Sequence, residues 1–291
     1  MKFEKLGKEK ENVTVRTEPF NFSESNILKH YNNTFGYINE HKPSKLEEYI
    51  RKLTEKLLAV TKQEFFHDIN GKLSEILQQY KHLTDQSNIM RLLLSNFIST
   101  LGVTEEQYWE NKEQEFPDWN FFHSIRDIHL MDIKSLIDVF GKEEGIDLYK
   151  KIADEYVIKY NPNQKNWYID LEEMRFHHMK FIENNSLGRV RLMSNVEDGR
   201  YVEICLTCDK MKNYLDASQE DRELLDVTGC YCHEGLVRLW NENFILTLNK
   251  TIAKGDPYCT YVYHDTRVVD TIKVPSQKFF DEVIEEFSEV K

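Results

Sequence analysis

Arg189-Val190-Arg191-Leu192-Met193-Ser194-Asn195-Val196-Glu197-Asp198-Gly199-Arg200-Tyr201-Val202-Glu203-Ile204-Cys205-Leu206 is the stretch that decides the fold. Arg189–Met193 and Tyr201–Leu206 alternate with period two around Asp198-Gly199, which predicts a β-hairpin with a tight turn. Upstream the period is helical. Leu46, Tyr49, Ile50, Leu53 and Leu57 share one face, and Ile89, Leu92, Leu93, Phe97 and Leu101 another. Ile125, Ile128, Ile133, Leu136, Ile137 and Phe140 mark the best amphipathic helix, closed by Gly141. Further helical faces follow at Ile146–Tyr156 and Leu171–Ile182. Downstream of the hairpin the spacing predicts helices over Asp209–Leu215 and Cys232–Trp240, strands over Phe244–Ile252 and Tyr258–Tyr263, and a closing helix over Phe279–Phe287. The expected fold class is therefore α+β, a helical N-terminal half packed on a C-terminal antiparallel sheet with flanking helices.

Residues 1–43 are polar and punctuated by Pro19, Gly36 and Pro43, and read as an N-terminal arm with one short helix near Ser25–Tyr31. Ser44 with Glu47 resembles a capping box. The expected division is an arm (1–43), a helical region (44–118) and an α+β domain (119–291). Of 291 residues, 38 are basic and 50 acidic, a formal net charge of −12. That balance argues against nucleic acid or an anionic membrane as a bulk partner, because both select basic surfaces. No stretch reaches the roughly 18–20 apolar residues of a membrane span, and the N-terminus has no signal-like apolar run. The expectation is a cytoplasmic protein with a small-molecule substrate, and nothing in the sequence sets an oligomeric state.

All five cysteines fall between Tyr201 and Arg267: Cys205, Cys208, Cys230, Cys232 and Cys259. An odd number in a reducing compartment reads as thiols or metal ligands rather than disulfides. Cys205-x2-Cys208 with Cys230-x-Cys232-His233 offers thiolate and imidazole donors for zinc, though one-residue spacing in the second pair is short for a zinc knuckle. Cys208 and Cys232 stand at expected helix starts, where a thiolate is favoured, with His233 and His264 as candidate bases. Cys205, on an inward strand position, reads as a small buried hydrophobe. His129 and His178 lie on apolar helix faces, the pattern of a buried hydrogen-bonded histidine or of a pocket wall. Glu173 and His177, four apart, form a metal-like pair with no second Glu-x-x-His to complete it. Walker, Gly-x-Gly-x-x-Gly, Gly-x-Ser-x-Gly and His-Glu-x-x-His motifs are absent.

Thr247-Leu248-Asn249-Lys250-Thr251-Ile252-Ala253-Lys254-Gly255-Asp256-Pro257-Tyr258-Cys259-Thr260-Tyr261 resembles the C-terminal part of the L-2-amino-thiazoline-4-carboxylic acid hydrolase family. Cys208, Cys230 and Cys232 are similar to that family's cysteine positions, and Ile125–Gly145 to its helical part. The resemblance implies hydrolysis of a C–N bond in a cyclic amidine or thiazoline. It implies Cys232 or Cys208 as nucleophile or metal ligand with Cys259 beside it, His233 as acid/base, Asp256 as a positioning group, and Arg238 or Arg267 on the substrate carboxylate. No cofactor is then expected. The Gly-Asp-Pro-Tyr-Cys ending also resembles the small-molecule-binding domain named after vinyl reductases, which implies a non-catalytic small-molecule or zinc-binding sensor, with Cys208, Cys232 and Cys259 as the ligands if zinc is held and Cys208, Cys230 or Cys232 substituting for ligands of that domain. Leu248 and Thr251 stand where two zinc ligands of that domain belong. A third reading is an accessory domain with buried cysteines.

Overall fold

The N-terminal 43 residues depart most from the sequence reading. In the computed structural model they are not an irregular arm. Strand β1 (Phe3–Leu6) pairs antiparallel with the Arg191–Ser194 strand, nearly 190 positions away in the chain. Strand β2 (Thr14–Thr17) follows, and α1 (Pro19–Ser23) runs through a π-helical turn, Glu24–Leu28, into α2 (Lys29–His41). Ile27, Leu28, Tyr31, Phe35 and Ile38 are buried there. At about 2 kcal/mol for each buried apolar side chain, that face contributes on the order of 10 kcal/mol before conformational entropy, enough to fix the segment. The structure describes residues 1–10, 13–60, 66–68, 71–184, 189–208 and 216–288, with the backbone alone at Cys232. The helix expected over Asp209–Leu215 lies outside the described residues.

The helical half continues with α3 (Leu46–Val60), α4 (Lys72–Leu77), α5 (Ser87–Leu101) and α6 (Glu105–Glu110), the last started by a capping box between Thr104 and Gln107. Ser44 sits inside a 3-10 turn, Pro43–Lys45, that has no side-chain cap. Strand β3 (Gln114–Pro117) pairs with β2 in a separate two-stranded ribbon. Two long helices, α7 (Asp118–Phe140) and α8 (Lys142–Tyr160), turn on Gly141 at φ 86° and pack along each other. One hydrophobic core joins Ile27, Phe35, Leu53, Phe97, Ile133, Leu136 and Ile152, so it crosses both boundaries expected from the sequence, at 43/44 and 118/119.

Helix α9 (Leu171–Asn184) leads to the hairpin of β4 (Arg191–Ser194) and β5 (Arg200–Cys205). Asp198 and Gly199 both have positive φ, the requirement of a tight hairpin turn. After α10 (Gln219–Cys230) and α11 (Cys232–Trp240) come β6 (Phe244–Leu248) and β7 (Cys259–Asp265), and then α12 (Gln277–Ser288). The five strands form an antiparallel sheet in the order β1-β4-β5-β7-β6. Strand alternation divides its faces. Tyr201, Cys205, Tyr261 and Tyr263 pack with Met174 and Ile182 of α9 and Val237 of α11. Val202, Ile204 and Val262 pack with Phe280 and Val283 of α12 on the other side. The protein is α+β, and its helical half meets the first of these faces. Among the described residues no helix is long and apolar enough to cross a membrane.

Candidate functional site

Where the helical half meets the sheet they enclose a cavity of about 640 Å³. The π-turn, α2, α7 and α8 form one wall, and α9, β4, α11 and β7 the other. Five of the chain's ten histidines line it, His30, His129, His177, His178 and His233. Arg126, Arg189 and Arg191 join them. Among the described residues no Asp or Glu is at the wall.

The carboxylates lie one layer behind. On the helical side Asp132 is fully buried, with Oδ2 2.5 Å from His30 Nε2, while Oδ1 accepts the Tyr49 hydroxyl at 2.5 Å. Burial first, and the Asp132 charge second, push Tyr49 well above its ordinary range and keep it a donor. The ring of His129 meets that of His30 edge-on at 4.5 Å, and its Nδ1 is 3.2 Å from the Tyr149 hydroxyl. Four elements therefore build this corner: His30 from α2, Tyr49 from α3, His129 and Asp132 from α7, and Tyr149 from α8.

On the sheet side Glu203 is also fully buried. Its Oε1 meets His178 Nδ1 at 2.6 Å and the Tyr201 hydroxyl at 2.7 Å, and Oε2 accepts from Arg191 Nη1. Burial raises the Glu203 pKa, but Arg191 and His178 overcome it and hold the group at about 2. In each His–carboxylate pair one ring nitrogen is engaged by the acid. The other, Nδ1 of His30 and Nε2 of His178, has no hydrogen-bond partner among the described residues. A histidine oriented by a buried carboxylate and open on its second nitrogen is the arrangement of a general acid or base.

Of the residues singled out in the sequence, His233 is at the cavity wall, with Nδ1 2.8 Å from the Cys230 carbonyl. The described cysteines, Cys205, Cys208, Cys230 and Cys259, are thiols outside the lining. Cys205 and Cys259 face each other across β5 and β7, with Cys208 packed beside them. Cys259 is pushed up to about 11, chiefly by burial, although its sulfur accepts the Ile252 N–H at 3.2 Å. Cys205 is raised by its hydrogen bond with Cys208 and by burial. Both are protonated at neutral pH, the state of a structural rather than a nucleophilic cysteine. The side chain of Cys232 lies outside the described residues. Among the described residues no three His, Cys, Asp or Glu side chains form a group that could hold a metal ion.

Asp256 accepts the Thr251 N–H at 3.0 Å and shapes the loop before β7. Arg238 pairs with Asp154 at 2.9 Å, and Arg267 with Asp265 at 2.6 Å. None of the three lines the cavity. Glu173 accepts the Ile169 N–H at the start of α9 and so is engaged apart from His177, which does line the cavity. The residues that sequence reasoning missed are His30, Asp132, Glu203, Arg189 and Arg191.

No known family model, curated protein or solved structure matches the chain.

Proposed function

We propose that the protein is a hydrolase that opens a C–N bond of a small cyclic amidine or thiazoline-type substrate bound in this cavity. The observation that carries the reading is the presence of two His–carboxylate pairs on opposite walls of one cavity, each with an open ring nitrogen. In this reading a water oxygen forms a bond to the amidine carbon as His30 Nδ1 takes the water's proton. Asp132 then stabilises the resulting imidazolium. His178 Nε2 protonates the ring nitrogen as the water adds, and the C–N bond then breaks with its electron pair going to that nitrogen. The intermediate's hydroxyl proton returns His178 to its protonated state as the carbonyl forms, and the proton held on His30 passes through solvent to the released nitrogen, so both water hydrogens end on nitrogen and both histidines are reset.

The cysteines have no chemical step in this scheme. Asp132→Asn is expected to lower kcat at least about 100-fold on any cyclic amidine the enzyme turns over, with circular dichroism unchanged. Cys259→Ala is expected to stay within about threefold, since a thiol held near pKa 11 is not the nucleophile. A screen over thiazolines and cyclic amidines supplies the substrate for both measurements. Full activity in Asp132→Asn would refute the assignment. A binding module would use the same cavity, favoured by its aromatic wall, and would show saturable binding without turnover in that screen.

A further inference from the structure

We infer that the occupant of this cavity is an extended aromatic organic anion, its negative group held by Arg189 and Arg191. The inference rests on the cavity being the ligand site and deepens that reading by naming the class of ligand.

The first argument is charge. Every cation at the wall except one has an acidic partner or shares one. Arg126 pairs with Asp127 and Asp216. Arg191 pairs with Glu203, but that carboxylate also serves His178 and Tyr201. Arg189 has no carboxylate partner among the described residues, and its guanidinium faces the Phe181 ring at 6.0 Å. A chain of net charge −12 has thus placed positive side chains, and among the described residues no negative ones, around this cavity. An ammonium ligand would meet like charge and an anion the opposite.

The second argument is hydrogen bonding. The Nε–H groups of Arg189 and Arg191 are both buried without a hydrogen-bond partner. Buried donors are normally satisfied, and unmet ones on a charged group are costly, so an anion held against these two guanidinium groups would offset that cost through their charge. Planar carboxylates fit guanidinium groups well.

The third argument is size and wall chemistry. A cavity of about 640 Å³ lies in the range that takes drug-sized molecules, well above what a single small heterocycle fills. Tyr168 and Trp240 meet edge-on inside it at 5.5 Å. Trp167 and Phe181, also in the lining, remain 51% and 56% exposed. With Tyr149 and Tyr156 of α8 in the opposite wall, rings on both sides favour a flat apolar body joined to the anionic group.

The test uses the full chain and three probes that share one ring system: 2-naphthoate, 2-naphthamide and 2-naphthylmethylammonium, followed by quenching of tryptophan fluorescence. The expected result is saturable binding of naphthoate at least about tenfold tighter than the amide, with no binding of the ammonium. Arg189→Gln should reduce the naphthoate affinity about tenfold while leaving the amide unchanged, and Arg189→Lys should recover part of the loss. Thermal melts of both variants establish that they are folded. Absence of naphthoate binding, equal affinity for acid and amide, or an unchanged ratio in folded Arg189→Gln would overturn the inference. The readout contains no turnover. A protein that prefers naphthoate but hydrolyses nothing would sink the hydrolase reading alone. One that hydrolyses neutral amidines as readily as their carboxylates would sink the anion site alone.

Discussion

Glu203 is the most constrained single residue in the site, because three donors converge on a carboxylate with no solvent exposure. Its pKa is lowered from 4.5 to about 2, so its contribution to stability is fully present above pH 4.5 and is lost as the pH falls towards 2. The size of that contribution is roughly 3 kcal/mol. Glu203→Gln is expected to flatten the stability profile between those two pH values, as read by urea denaturation at each pH. It should also cost several kcal/mol at neutral pH by stranding Arg191. An unchanged acid limb would show that Glu203 is not held by these partners. Glu203 and Asp132 were both legible in principle. Asp132 lies four residues after Ile128 and four before Leu136, in phase with a buried helix face, and Glu203 alternates inward with Tyr201 and Cys205. A carboxylate at an apolar-phase position signals a buried partner. His30 carried no such signal, because the residues around it read as an arm.

At the scale of elements, the α7–α8 pair holds the helical wall in place. Gly145 lies at its tightest point, where an added Cβ would stand 2.8 Å from the Cα and the N of Ile137. Alanine gains about 1 kcal/mol in helix propensity over glycine, but overpacking against backbone costs about 1–3 kcal/mol, so the clash is expected to win. Gly145→Ala should therefore lower the urea midpoint at unchanged slope, whereas a raised midpoint would mean that the two helices can separate freely. The Asp198-Gly199 hairpin carried a local signal, positive φ at two adjacent residues, and it forms as read, whereas Ser44, read with Glu47 as a capping box, lies in a 3-10 turn without a side-chain cap. Strand β1 could not be read in the same way. Phe3-Glu4-Lys5-Leu6 is short and lies at a sheet edge, and its partner strand is distant in sequence. Only the tertiary fold reveals that pairing.

At the scale of the whole molecule, the cavity belongs to neither half alone. His30 and Asp132 come from the helical half, and His178, Arg191 and Glu203 from the sheet and its covering helix. Helical periodicity and strand alternation foretold both halves and the α+β class, but they carry no information on which faces meet. For that reason His129, His177, His178 and His233 could be named one by one from the sequence but not placed in one site, and His30 was not named at all. The β5–β7 face depends on the fold in the same way. It places Cys205 and Cys259 opposite each other away from the cavity lining, and Tyr261 and Tyr263 in it.

The most direct test of the central claim, that two His–carboxylate pairs serve one reaction in this cavity, is kcat/KM for His30→Ala, His178→Ala and the double variant on the same cyclic amidine. Each single change is expected to cost at least about 100-fold, and the double variant should be little worse than the worse single, as for groups that act as a unit. Either folded single variant retaining activity within about threefold of the parent would contradict the account.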